Sequence, residues 1–155
     1  MRLATQEKKA ELLAELKTRM VDINFSFSFR VQKLFTRIGN IFSKYAFHKN
    51  LKKVLEKYKL SEKEAGENLA ISEEIWKNIC KGKFLPSVNL LYSLALTGHL
   101  SMDDTAYLCS LCGYQVDYAN VRDVVISYLL TRRVYNADMI ESALKEYKIT
   151  SLFLK

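Results

Sequence analysis

Residues 60–87 read LSEKEAGENLAISEEIWKNICKGKFLPS, and the placing of serine, glycine and proline in this stretch decides the fold. A short polar helix is expected over 61–69, followed by a three-residue turn. A second short helix starts at Ser72, whose hydroxyl oxygen can accept from a free N–H of the first turn, and stops at Gly82. Pro86-Ser87 then opens a longer apolar helix over 87–97, with Leu90, Leu91, Leu94 and Ala95 at helical spacing. Two short helices held at a steep angle across a tight turn make a helix-turn-helix.

The pattern continues on both sides. Ser101-Met102-Asp103-Asp104 is a helix start, and the helix it opens ends at Gly113, a residue suited to a left-handed cap. A helix over 118–132 carries Val121, Val124, Val125, Tyr128 and Leu129. Asn136-Ala137-Asp138 opens a last one with Ile140, Ala143, Leu144 and Tyr147. Upstream, Leu12, Leu13, Leu16 and Met20 give a helix over 5–20, and Asp22-Ile23-Asn24 breaks it. The alternation Phe25-Ser26-Phe27-Ser28-Phe29 runs into a helical stripe from Val31 to Tyr45, and Leu51, Val54, Leu55 and Tyr58 form the next helix, ending near Lys59.

A chain of 155 residues with nearly half its residues apolar can bury a core, and one proline with five glycines fits an all-α class. No apolar run reaches the length of about 18–20 residues that a membrane span needs, and the N-terminus lacks a signal-peptide pattern. Three cysteines without framework spacing point to a reducing, cytoplasmic setting. The net charge is +7, and residues 1–48 hold nine Lys/Arg against four Asp/Glu, so most of the surplus precedes the short helices. That balance favours an anionic partner or simply aids solubility.

Residues 47–113 resemble the Cro/repressor-type (Xre-type) helix-turn-helix domain. The likeness is carried by Leu60, Leu69, Ile71, Ser72, Ile79, Gly82-Lys83, Pro86-Ser87, Leu91, Ala95 and Ser101–Asp103. Gly113-Tyr114, Val124–Leu129 and Tyr135 with Ile140–Leu144 extend it to a bacterial subgroup with two further helices. The resemblance implies an all-α protein: a five-helix domain over 47–113, a helical C-terminal extension over 114–155 packing on it, and a basic aromatic N-terminal extension over 1–46 outside the likeness. It departs from the family at Glu62, where glutamine is usual, at Gly66 in place of a tightly packed alanine, and at Glu73-Glu74 in the first turn of the recognition helix.

The same resemblance implies a duplex-DNA site. Ser72 would cap the recognition helix, while Glu73, Glu74, Lys77 and Asn78 face the groove and Lys81, Lys83 and Ser87 touch phosphates. Two carboxylates oppose a phosphate groove unless each accepts from a cytosine amino group, although they also suit the positive end of a helix. Trp76 is expected in the core. Cys109 and Cys112 lie on one helix face beside Leu108 and Leu111 and are read as core packing, so no metal site is expected. Arg30, Lys33, Arg37 and Lys44 on the aromatic segment 29–45 offer a phosphate or partner contact, or mark the wet face of a core helix.

With His48 and His99 apart, no glycine-rich phosphate loop and no nucleophile motif, the sequence implies neither an enzyme nor a cofactor. Two functions stand. One is a DNA-binding transcriptional regulator, two copies pairing through the C-terminal helices on a two-fold site. The other is a protein-binding inhibitor or adaptor, such as a phage-type inhibitor of a nucleic-acid enzyme (an anti-CRISPR, for example). It would use the acidic helix turns and capture its partner through residues 1–46.

Overall fold

A computed structural model describes residues 44–155. The expected helix over 5–20, the Phe25–Phe29 repeat, the stripe from Val31 to Phe42, and Arg30, Lys33 and Arg37 lie outside the described residues. Within them every regular element is helical: α1 (Lys44–Lys57), α2 (Glu62–Glu67), α3 (Glu73–Cys80), α4 (Val88–Gly98), α5 (Met102–Leu111), α6 (Val121–Thr131) and α7 (Ala137–Glu146). None of these helices is long and apolar enough to cross a membrane.

Helix starts follow the caps. Ser61, Ser72, Ser87 and Ser101 each accept from the N–H three residues on, Asn120 accepts from the N–H of Arg122 two residues on, and Asn136 accepts from those of Asp138 and Met139. A cap of this kind stabilises a helix by about 1 kcal/mol. Two starts differ from expectation: α6 begins at Val121, behind its Asn120 cap, and not at 118, and α1 begins well before Leu51. A single helix spans Lys44–Lys57, where the sequence reading ends one helix at Tyr45 and begins the next at Leu51. Phe47 is buried and extends the stripe of Leu51, Val54, Leu55 and Tyr58 back by a turn, and Asn50 donates to the Ala46 carbonyl at 2.6 Å instead of breaking the helix. The division after residue 46 therefore falls inside α1.

Helix α4 is the hub: its Leu90–Leu96 run is wholly buried, and it packs on α2, α5 and α6. Helix α1 lies on α2, α3 and α5, whereas α7 packs on α6 alone among the helices. Burying each of the large aliphatic side chains here stabilises the fold by roughly 1.5–3 kcal/mol. Two polar links add register. Tyr58 on α1 donates to Asp104 at 2.6 Å, and Lys57 reaches the same oxygen at 3.0 Å. Partial burial pushes the Asp104 carboxyl up, but these bonds outweigh it and hold it below the ordinary carboxylate range.

Residues 114–155 are tied to the rest from two directions. Tyr114, Asp117 and Asp123 join a network with Tyr92 of α4. The tail crosses the α2–α3 turn, where Leu69 and Leu154 form an antiparallel bridge and Ala70 N–H donates to the Phe153 carbonyl at 2.9 Å. Phe153 N–H in turn donates to Ser93 Oγ at 2.8 Å, so the tail spans from the turn to α4.

Candidate functional site

Helix α3 buries Trp76, Ile79 and Cys80. Its opposite face holds Glu74, Lys77, Asn78 and Lys81 at i, i+3, i+4 and i+7, so four of the predicted contact residues share one stripe. Glu74, Lys77 and Lys81 are exposed and Asn78 is half-buried. Glu73 sits beside this stripe and pairs with Lys77 at 3.3 Å, both side chains lying largely in water. The two carboxylates occupy the first turn, where the helix dipole favours negative charge.

Ser72 Oγ accepts from Ile75 N–H at 3.2 Å and Ser87 Oγ accepts from Leu90 N–H at 3.3 Å. Each hydroxyl therefore keeps its own O–H free to donate to an anion. Between them, Gly82 turns the chain at φ 78°, with Lys83 N–H donating to the Asn78 carbonyl at 3.0 Å. This turn holds Lys81 and Lys83 on either side of Gly82, both exposed. All eight predicted DNA-contact residues thus fall on α3, its caps and the turn that follows. Lys44 is the first residue of α1.

The absence of a side chain at Gly66 has a physical counterpart in Trp76. The indole is 6% exposed and its Nε1–H donates to the Glu62 carbonyl at 2.7 Å. A Cβ built on Gly66 would overlap Trp76 Cδ1, so a residue without a side chain on α2 is what lets α3 carry a tryptophan in its core. The groove between α2 and α3 encloses about 760 Å³. Its floor is Leu69, Ile71, Trp76 and Cys80, and its rim carries Glu62, Glu67, Glu73, Lys77, Lys81 and Lys155.

The remaining chemistry is quiet. Burial, with the Glu62 carboxylate adding to it, pushes the Cys80 thiol up to about 12, and burial alone takes Cys112 to about 12. Cys109 is fully buried and is also raised, so these side chains remain thiols at neutral pH and are poor nucleophiles and ligands. Among the described residues no three His, Cys, Asp or Glu side chains are grouped to hold a metal. His99 lies at the end of α4, stacked on Tyr135 with ring centroids 4.5 Å apart, and His48 lies on α1.

Three features escape the sequence reading. Lys49, Lys52 and Lys53 are exposed on α1, whose first turns meet the α3–α4 turn: a Cβ on Gly82 would stand 3.3 Å from the His48 side chain. Ile75 and Phe84 are 45% and 39% exposed. The tail closes the α2–α3 turn. Only the first left a signal, in the helical spacing that runs back to Phe47. No protein-family model matches the chain, and searches of curated proteins and of solved structures find no similar one.

Proposed function

We propose that the chain is a helix-turn-helix protein of the Cro/repressor type that binds duplex DNA as a regulator and acts by binding, not by catalysis. The observation that supports this reading is the outward stripe Lys77, Asn78 and Lys81 on α3, flanked by Lys83 and by the free hydroxyl hydrogens of Ser72 and Ser87. In a major groove Asn78 can pair with the N6 and N7 edge of adenine, and Glu74 can accept from a cytosine amino group. The lysines and serines supply phosphate contacts, which give affinity and register without sequence information. In this arrangement α2 and α3 form the reading unit, the Trp76–Gly66 contact fixes their packing, and the tail closes their turn.

Selection of bound duplexes from a random pool should enrich one motif. Replacing Lys77 and Lys83 together with alanine should weaken binding and flatten its salt dependence by about two units of log–log slope. Affinity and slope both unchanged in that variant would sink the proposal.

A second reading is favoured by the acidic side of the same unit. Glu62, Glu64, Glu67, Glu73 and Glu74 are all exposed on α2 and the first turn of α3, next to exposed Ile75. Such a surface fits a basic protein partner, as in an inhibitor or adaptor of a nucleic-acid enzyme. A folded protein that enriches no duplex would favour this reading over the first.

A further inference from the structure

We infer that the nucleic-acid surface extends past α3 onto α1, where Lys49, Lys52 and Lys53 join Lys81 and Lys83 in a flank that grips duplex phosphates outside the read groove. This deepens the DNA reading and rests on it.

The placement comes from one contact. His48 packs against Gly82, with its Cβ, Cγ and Nδ1 each 3.3 Å from where a Gly82 Cβ would stand, so the Lys81–Lys83 turn lies on the first turns of α1. Lys52 is one helical turn beyond His48 and therefore on the same side of α1. Lys49 adjoins His48 and has Lys53 one turn further on. All five lysines are exposed.

Their electrostatics differ from those of the neighbouring lysines. Lys57 is held by Asp104 at 3.0 Å and Lys77 by Glu73 at 3.3 Å. Among the described residues no carboxylate comes within ion-pair distance of Lys49, Lys52, Lys53, Lys81 or Lys83. Glu56 is the sole acid within α1 and makes no such pair. Exposed ammonium groups that none of the described carboxylates pairs with hold their own counterions, and a polyanion binds by replacing them.

A duplex fits better than a protein here. Beside the flank the large exposed rings are Phe84 and Tyr107, each 39% exposed and the latter bonded to Asn50 of α1, where a protein interface needs a contiguous apolar core. Glu62 and Glu67 of α2 share the groove rim with Lys81 alone of the five lysines, so the charge grades from acidic at α2 to basic at α1, which orients the unit on an anionic rod.

The test uses the full chain and a fluorescently labelled mixed-sequence duplex, with anisotropy read across a salt series. Lys49→Gln, Lys52→Gln and Lys53→Gln together should reduce the magnitude of the log–log salt slope by about two to three and weaken binding more than tenfold near physiological salt. A control carrying Arg133→Gln, Lys145→Gln and Lys148→Gln, on α7 and the connections flanking it, removes the same charge and should leave the slope near that of the parent. Circular dichroism establishes that both variants are folded. An unchanged slope in the α1 variant, with Lys77 and Lys83 still required, overturns this inference alone. Equal losses in both variants overturn it as well, by reducing it to net charge. A parent chain with no salt-dependent binding overturns both it and the DNA reading.

Discussion

Asp123 and Glu73 are both carboxylates in the first turn of a helix, and the molecule uses them in opposite ways. Asp123 of α6 is 0% exposed and accepts from Tyr92 Oη at 2.9 Å, Tyr114 Oη at 2.6 Å, Asp117 N–H at 2.7 Å and Arg122 Nε at 3.1 Å. Arg122 is itself consumed by Asn89 at 3.1 Å and Tyr114 at 2.6 Å. Glu73 of α3 has one ion pair, at 3.3 Å, with a lysine that is also largely exposed. A buried charge is tolerated when its lone pairs are met, so the polar groups around Asp123 are taken up by one another. On α3 the polar groups cost nothing to leave open, and that is where binding chemistry remains available.

The comparison breaks first at Asp123. Asp123→Ala should destabilise the fold by about 3–5 kcal/mol, because it strands Arg122 and two tyrosine hydroxyls. Urea unfolding followed by circular dichroism measures this, and a loss below about 1 kcal/mol would show that the network is not structural. The same burial pushes the Tyr92 and Tyr114 hydroxyls well above the usual tyrosine range, Asp123 adding to the effect, so both stay protonated donors across the accessible pH range.

A smaller effect tests the core beneath α3. Gly66→Ala should cost about 1–3 kcal/mol through overlap with the indole, despite the better helix propensity of alanine. Adding Trp76→Leu should recover part of that loss, and a double-mutant cycle gives the coupling. Additive effects would mean that the two side chains do not share the space. The smallest change should come from Glu73→Gln, within about 0.5 kcal/mol in stability because the pair is exposed. Removing its charge from beside the Lys77–Lys81 stripe should nevertheless tighten duplex binding, and weaker binding would mark Glu73 as a base contact.

Much of the architecture was legible in single residues. Ser72, Ser87, Ser101 and Asn136 mark helix starts from sequence because a side-chain oxygen next to its own free N–H groups is a local event. Gly82 and Gly113 mark stops because glycine adopts positive φ without steric cost. Four other helices end in the same left-handed way at Lys59, His99, Arg133 and Lys148, where nothing in the residue type announces it. Each is followed by an apolar residue, Leu60, Leu100, Val134 or Ile149, whose N–H closes back on a carbonyl five residues earlier at 2.8–3.0 Å. Packing of these residues on the core offsets a conformational cost of roughly 1–2 kcal/mol.

The candidate site divides along the same line. The eight α3-side residues all fall between positions 72 and 87, so their shared surface follows from helical periodicity and a glycine turn. Lys49, Lys52 and Lys53 belong to another helix, and α1 meets the α3–α4 turn only because His48 packs on Gly82, 34 positions away in the numbering. The pairing of Gly66 with Trp76 and the closure of the α2–α3 turn by Leu154 also bring together residues that no local pattern relates.

The sequence by itself therefore determined that the described chain is all helix, where most of those helices begin, and which face of α3 is wet, since capping and periodicity act within a few residues. Only the tertiary structure decided that one helix runs through residue 47, that Asp123 is buried and fully bonded, and that α1 meets the α3–α4 turn through His48. Those outcomes depend on contacts between distant segments, whose energies are settled by packing across the core and leave no mark on neighbouring residues.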